Sequence, residues 1–128
     1  MIQTPVWAQK LVSDAIKWYT KQEHVKAKAP GFIWRHRIGL NSSGHTRLRE
    51  NQIFITAGRN RVDLKLCILH ELAHCLAPRE AQFHTVAFWD ITWKLIRWAK
   101  LPIRYCKQRE GEYKKGALVA YRRGRCKK

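Results

Sequence analysis

The chain has 128 residues and 45% hydrophobic residues, six of them Trp, so it carries enough apolar surface for a core, and wholesale disorder is excluded. Twenty-six Lys and Arg against nine Asp and Glu give a net charge of +17, a field that favours polyanions such as DNA or RNA. No segment approaches the ~20 consecutive apolar residues of a membrane span, and the N-terminus, MIQTPVWAQKLVSDAIKW, lacks the basic-then-apolar layout of a secretory signal. The expectation is an α+β protein without membrane contact, a monomer in the cytoplasm or at the nucleoid, with a virion role also open.

Residues 5 to 22 predict a helix, with Thr4 placed to cap it and Pro5 suited to its first position. Trp7, Leu11, Ala15 and Trp18, with Val12 and Tyr19 beside them, form an apolar stripe at helical spacing. AKAPG at 27 to 31 ends it. FIWRHRIG then alternates apolar and polar side chains as a strand does, NSSG at 41 to 44 reads as a turn, and HTRLRE and QIFITAG predict two further strands around Glu50-Asn51. His36 and His45 stand alone here and read as surface or cross-strand side chains rather than ligands.

From Arg61 to Leu76 the period becomes helical, and Ala77-Pro78 stops it, because proline disfavours helix at the residue before it. A second long helix is expected from about Glu80 to Lys100, with Asp90, Lys94 and Arg97 on its wet side and His84, Phe88, Ile91, Leu95 and Trp98 facing inward. Pro102 ends it. Residues 101 to 128 hold ten Lys or Arg and two Glu and read as a basic extension, with GALVAY at 116 to 121 as a candidate strand. The division is thus a core over 1–100 and an extension over 101–128. Cys67, Cys75, Cys106 and Cys126 form no CxxC pair; the first two read as small buried side chains, the others as thiols or a chance pair.

The chemistry is concentrated in LCILHELAHCLAPREAQFH. On a helix, residues i and i+4 lie on one face, so His70 and His74 can offer two imidazoles to one Zn²⁺. From its position after the first ligand, the Glu71 carboxylate can reach a water on that ion rather than the ion itself, the HExxH pattern of metal-assisted peptide hydrolysis. Such a match arises by chance on the order of once per hundred such chains, and here it falls on an expected helix with apolar flanks. A catalytic zinc needs a third protein ligand; His84 is the first candidate, with Glu80 as the alternative.

TAGRNRVDLKLCILHELAHCLAPREAQFHTVAFW resembles the core of SprT-like zinc metallopeptidases, the group that includes the Spartan proteases acting on DNA–protein crosslinks. The resemblance covers roughly residues 5 to 100. It implies a minimal zincin-like core, with an N-terminal helix, a three-stranded sheet, the HExxH helix and a second long helix. It also matches His84 to the third metal ligand, Phe88 to a following aromatic, and QIFIT to the strand that can hold substrate as an added strand. Thr85 stands where the family usually has Gly, and the zinc ribbon many members carry after the core is absent, since only Cys106 and Cys126 remain.

The implied activity is a zinc-dependent endopeptidase acting on DNA-associated proteins. His70, His74 and His84 would hold the metal, Glu71 would serve as general base and acid, and Tyr105 is a candidate to steady the oxyanion. DNA contact would be electrostatic, sequence-independent and carried mainly by the Lys and Arg of the extension. The rival reading is a non-catalytic nucleic-acid-binding module with a structural or vestigial zinc site; Glu71 speaks against it, since a structural site has no need of a carboxylate beside its ligand.

Overall fold

A computed structural model describes residues 4–35, 44–57, 60–77 and 85–111. It is α+β, with four helices and a small mixed sheet: α1 (Val6–Glu23), β1 (Gly31–Arg35), β2 (Gly44–Arg47), β3 (Gln52–Thr56), α2 (Arg61–Leu76), α3 (Val86–Trp98) and α4 (Ile103–Gly111). The chain divides into two compact units, Met1–Cys75 and Leu76–Lys128. Among the described residues no helix is long and apolar enough to cross a membrane.

In the first unit α1 begins one residue later than the composition of its first turn suggests. Pro5 is the N-cap, no side chain caps the end, and Thr4 contributes only a carbonyl, which accepts from Gln9 Nε2 at 3.1 Å. The buried face is Ala8, Val12, Ala15, Ile16 and Tyr19, while Trp7, Leu11 and Trp18 are half-buried. The inward stripe is therefore turned by about one residue from the one expected, because small Ala8 and Ala15 admit close packing while the indoles cover the flanks. His24, at φ 53°, closes the helix, and the Val25 N–H reaches back to the Thr20 carbonyl.

The three strands form a sheet of order β1-β3-β2, with β1 parallel and β2 antiparallel to β3. QIFIT is thus the central strand, hydrogen-bonded on both sides, and it cannot take the added substrate strand expected of it. Among the described residues the open edges belong to β1 and β2. Asn51, at φ 51°, makes the tight return into β3, its N–H bonding the Leu48 carbonyl and its carbonyl accepting from the Gly31 N–H. Alternation puts Trp34, Ile53 and Ile55, all buried, on one face. Residues 36–43, with His36 and most of the NSSG turn, lie outside the described residues.

Helix α2 runs over Arg61–Leu76, as its periodicity predicts. Asn60 caps it: its Oδ1 accepts from the Asp63 N–H at 2.8 Å and its Nδ2 donates to Asp63 Oδ2 at 3.2 Å, two of the first turn's polar groups satisfied reciprocally. Its burial extends almost around the axis, from Leu64 through Ala73. The Arg61 guanidinium lies 4.1 Å from the centre of the Trp7 ring and ties the start of α2 to α1.

In the second unit α3 starts at Val86, not near Glu80. Thr85 holds an extended conformation (φ −71°, ψ 169°) and its hydroxyl accepts from the Phe88 N–H at 3.3 Å, so the residue where the resemblance expects Gly is an N-cap. The inward stripe consequently begins at Phe88. It is also wider than expected: Trp89, Thr92, Trp93 and Ile96 are buried along with Phe88, Ile91 and Leu95. Lys100, at φ 57°, ends α3, the Leu101 N–H bonding the Ile96 carbonyl and the Lys100 N–H the Arg97 carbonyl. The chain then enters a further helix, α4, where a basic extension ordered only in part was expected; its Cys106 is fully buried. The candidate strand 116–121 lies outside the described residues.

Candidate active site

His70, Glu71 and His74 all fall on α2, inside a run whose neighbours Ile68, Leu69, Leu72 and Ala73 are fully buried. His70 and Glu71 are themselves buried, at 9% and 8% exposure. Polar groups in such a place are costly unless they have partners.

For Glu71 the partner comes from the sheet. The Thr46 hydroxyl on β2 lies 2.8 Å from Glu71 Oε1 and 3.0 Å from the Glu71 carbonyl. One hydroxyl proton serves both, and the shorter contact goes to the carboxylate, the stronger acceptor. Gly44, two residues earlier on the same strand, makes this approach feasible. A Cβ there would sit 2.6 Å from the Phe54 carbonyl, 3.1 Å from Ile55 Cδ1 and 3.4 Å from Glu71 Cγ. A bare backbone at Gly44 thus lets β2 lie close to both β3 and the Glu71 side chain.

The two imidazoles stand side by side, ring centres 5.3 Å apart and planes at 69°. Two imidazoles sharing a tetrahedral ion, each nitrogen ~2.1 Å from it, have ring centres roughly 5 Å apart. The observed spacing suits that arrangement, and neutral imidazole is a proper donor for Zn²⁺. His84 and Glu80, the candidate third ligands, lie outside the described residues. Among the described residues no third His, Cys, Asp or Glu groups with the pair as a metal site.

One turn on from Glu71, burial pushes the Cys75 thiol up to about 12, and the Glu71 carboxylate adds to the push. A thiol so disfavoured as thiolate is a poor nucleophile and a poor metal ligand. Cys67 and Cys75 are half-buried rather than fully enclosed, and Cys67, Cys75 and Cys106 form no disulfide. Tyr105, on α4, is half-buried.

Sequence reasoning placed His70, Glu71 and His74 together and missed Thr46 and Gly44. Gly44, at the end of the expected NSSG turn, and Thr46, in the strand expected after it, were both visible. What they meet 25 residues later was not. No family model, curated protein or solved structure matches the chain.

Proposed function

We propose that this protein is a zinc-dependent endopeptidase of the SprT-like type that acts on DNA-associated proteins. The observation that carries the reading is the buried Glu71 carboxylate, held at 2.8 Å by Thr46, one residue from an imidazole pair with the spacing of a shared ion. His70 and His74 would hold Zn²⁺, with His84 as the third ligand the resemblance supplies and Glu80 as its alternative. When bound, the metal would polarise the scissile carbonyl and lower the pKa of water to ~7. Glu71 then takes the proton of the attacking water and delivers it to the leaving amine as the C–N bond breaks. Thr46 restricts the carboxylate to one orientation while this happens. Its strand, β2, is an open sheet edge among the described residues, so it is the strand on which an extended substrate would add beside Glu71. The +17 charge brings the enzyme to nucleic acid and to the proteins on it.

The test is metal content and cleavage together. Purified protein should carry about one zinc per chain by mass spectrometry of the metal. Glu71→Gln should keep the zinc and lose proteolysis, while His70→Ala and His74→Ala lose both; His84→Ala against Glu80→Ala identifies the third ligand. Unchanged cleavage by Glu71→Gln overturns the mechanism. Adding single- or double-stranded DNA to a casein or histone digest separates a DNA-gated enzyme from an ungated one. Salt-sensitive DNA binding with no cleavage of any protein would leave the binding-module reading in its place.

A further inference from the structure

Three strand ends meet at one end of the sheet. The register pairs both Gly31 of β1 and Arg47 of β2 with Gln52 of β3, so β1 and β3 begin where β2 ends. Asn51, in the turn from β2 to β3, ties that turn to the segment leading from α1 into β1. Its Nδ2 donates to the Ala29 carbonyl at 3.4 Å and the Lys28 carbonyl at 3.5 Å, and its carbonyl accepts from the Gly31 N–H at 2.8 Å. The two segments joined in this way read HVKAKAP, residues 24–30, and RLREN, residues 47–51.

Lys26, Lys28, Arg47 and Arg49 are all exposed, and Glu50 is the one carboxylate in either segment. The last turn of α1 adds Lys21 and Glu23, whose charges cancel. The Arg47 guanidinium lies 4.9 Å from the Phe54 ring centre, a contact that orients the group and leaves its charge in place. Val25 and Leu48, at 47% and 45% exposure, stand among these cations, one in each segment.

Like charges held close on tied backbone repel one another, and a row of phosphates relieves that repulsion. Duplex DNA offers the densest such row, one charge per ~1.7 Å of its axis, and asks of a protein only cations. Neither segment contains Trp, Tyr or Phe. A single strand would therefore find no ring for its unpaired bases, and a lipid surface would find none of the aromatic anchors that sit at headgroup level. Aliphatic side chains between the cations suit the sugar carbons that lie between phosphates.

We propose that this end of the sheet grips duplex DNA by its phosphates, Lys26 and Lys28 from one segment and Arg47 and Arg49 from the other, without reading sequence. Arg47 follows Thr46 directly, and Arg49 lies three residues beyond it, about 10 Å at the rise of a strand. A protein standing on the gripped duplex is thereby brought to the strand that holds the Glu71 carboxylate. The inference rests on the nucleic-acid half of the proposed function; the peptidase half supplies only this consequence.

The experiment is fluorescence anisotropy of the full chain with a fluorescein-labelled 20-base-pair duplex and a single strand of equal length, titrated over salt, beside co-sedimentation with phosphatidylserine-containing vesicles. Wild type binds the duplex more tightly than the single strand. Lys28→Gln with Arg49→Gln removes two phosphate contacts, which flattens the log K–log salt slope by ~1.8 and weakens duplex binding roughly 30-fold near 0.15 M salt. Lys28→Arg with Arg49→Lys keeps both affinity and slope, since the charges remain. Lys10→Gln with Lys17→Gln removes two exposed charges roughly 20 and 10 Å up α1 and changes duplex binding by less than about threefold. Thermal unfolding checks that each variant is folded. Wild-type affinity and slope in the Lys28 and Arg49 double Gln variant, an equal loss in the Lys10 and Lys17 variant, a preference for the single strand, or vesicle binding that the Lys28 and Arg49 changes abolish while duplex binding persists, overturns this end of the sheet as the DNA site. No duplex binding by the wild type overturns this inference and the nucleic-acid half of the function together; a failed peptidase assay touches neither.

Discussion

Replacing Thr46 by Val keeps the outline of the side chain and deletes the hydroxyl that reaches Glu71 Oε1 at 2.8 Å. A hydrogen bond to a charged group contributes ~1.5–3 kcal/mol, and here the acceptor stays behind, buried to 8% exposure, without that donor. The gain from a better strand former at an edge position is a few tenths at most, so the net cost is about 2 kcal/mol. Urea unfolding reads it directly: with a slope of ~1–3 kcal/mol per molar, the midpoint falls by about 1 M. Thr46→Ser keeps the hydroxyl and should lose well under half as much. In a Glu71→Gln background the acceptor is neutral, and the same Thr46→Val change should cost only about 1 kcal/mol. The difference between backgrounds isolates the charge-assisted part of the bond. In the wild-type background proteolysis should drop through kcat with little change in KM, as a general base loses its fixed orientation. Equal midpoints for wild type and Thr46→Val, or an equal cost in both backgrounds, would refute the idea that Thr46 holds the Glu71 carboxylate.

Gly44→Ala should destabilise by about 1–3 kcal/mol, because its Cβ would meet the Phe54 carbonyl at 2.6 Å, backbone that cannot swing aside; differential scanning calorimetry measures it, and an unchanged melting temperature would show that β2 has room. Arg61→Ala removes a cation 4.1 Å from the Trp7 ring at an exposed position and should cost ~0.5–1 kcal/mol, with Arg61→Lys recovering only part, read from denaturant midpoints. The Cys75 thiol, raised to about 12, should react with iodoacetamide at pH 8 roughly a thousandfold more slowly than an unperturbed thiol. The sign follows from linkage: a raised value means the folded protein holds the proton more tightly, so folding itself is favoured less as pH climbs from 9 towards 12. Labelling of Cys75 at the rate of a model thiol in the native protein would contradict this, and Glu71→Gln should speed labelling modestly by removing one of the two causes.

Much of this protein is legible in its residue pattern, for a definite reason. The 3.6 period of Val62, Leu66, Leu69 and Ala73 and the stop at Ala77-Pro78 are local properties, and α2 ends at Leu76 as they require. The pairing of His70 with His74 is equally local, because four residues along a helix return to the same face whatever surrounds it. Capping is local too, and the Asn60 and Thr85 hydroxyl and amide contacts follow from residues three apart.

What lay beyond the pattern depends on neighbours distant in the chain. Alternation tells which face a strand residue takes but not which strand lies beside it, so only the fold decided that QIFIT is central and that, among the described residues, β2 is an edge. Periodicity marks an apolar arc on α1 without marking its centre; the packing centred it on Ala8, Val12, Ala15, Ile16 and Tyr19 and left the Trp7 and Trp18 indoles half-buried. Above all, the 2.8 Å side-chain hydrogen bond that fixes Glu71 comes from outside its own helix. Its Thr46 hydroxyl arrives from 25 residues upstream, past a glycine that lets the strand come near, and no one-dimensional spacing encodes that meeting.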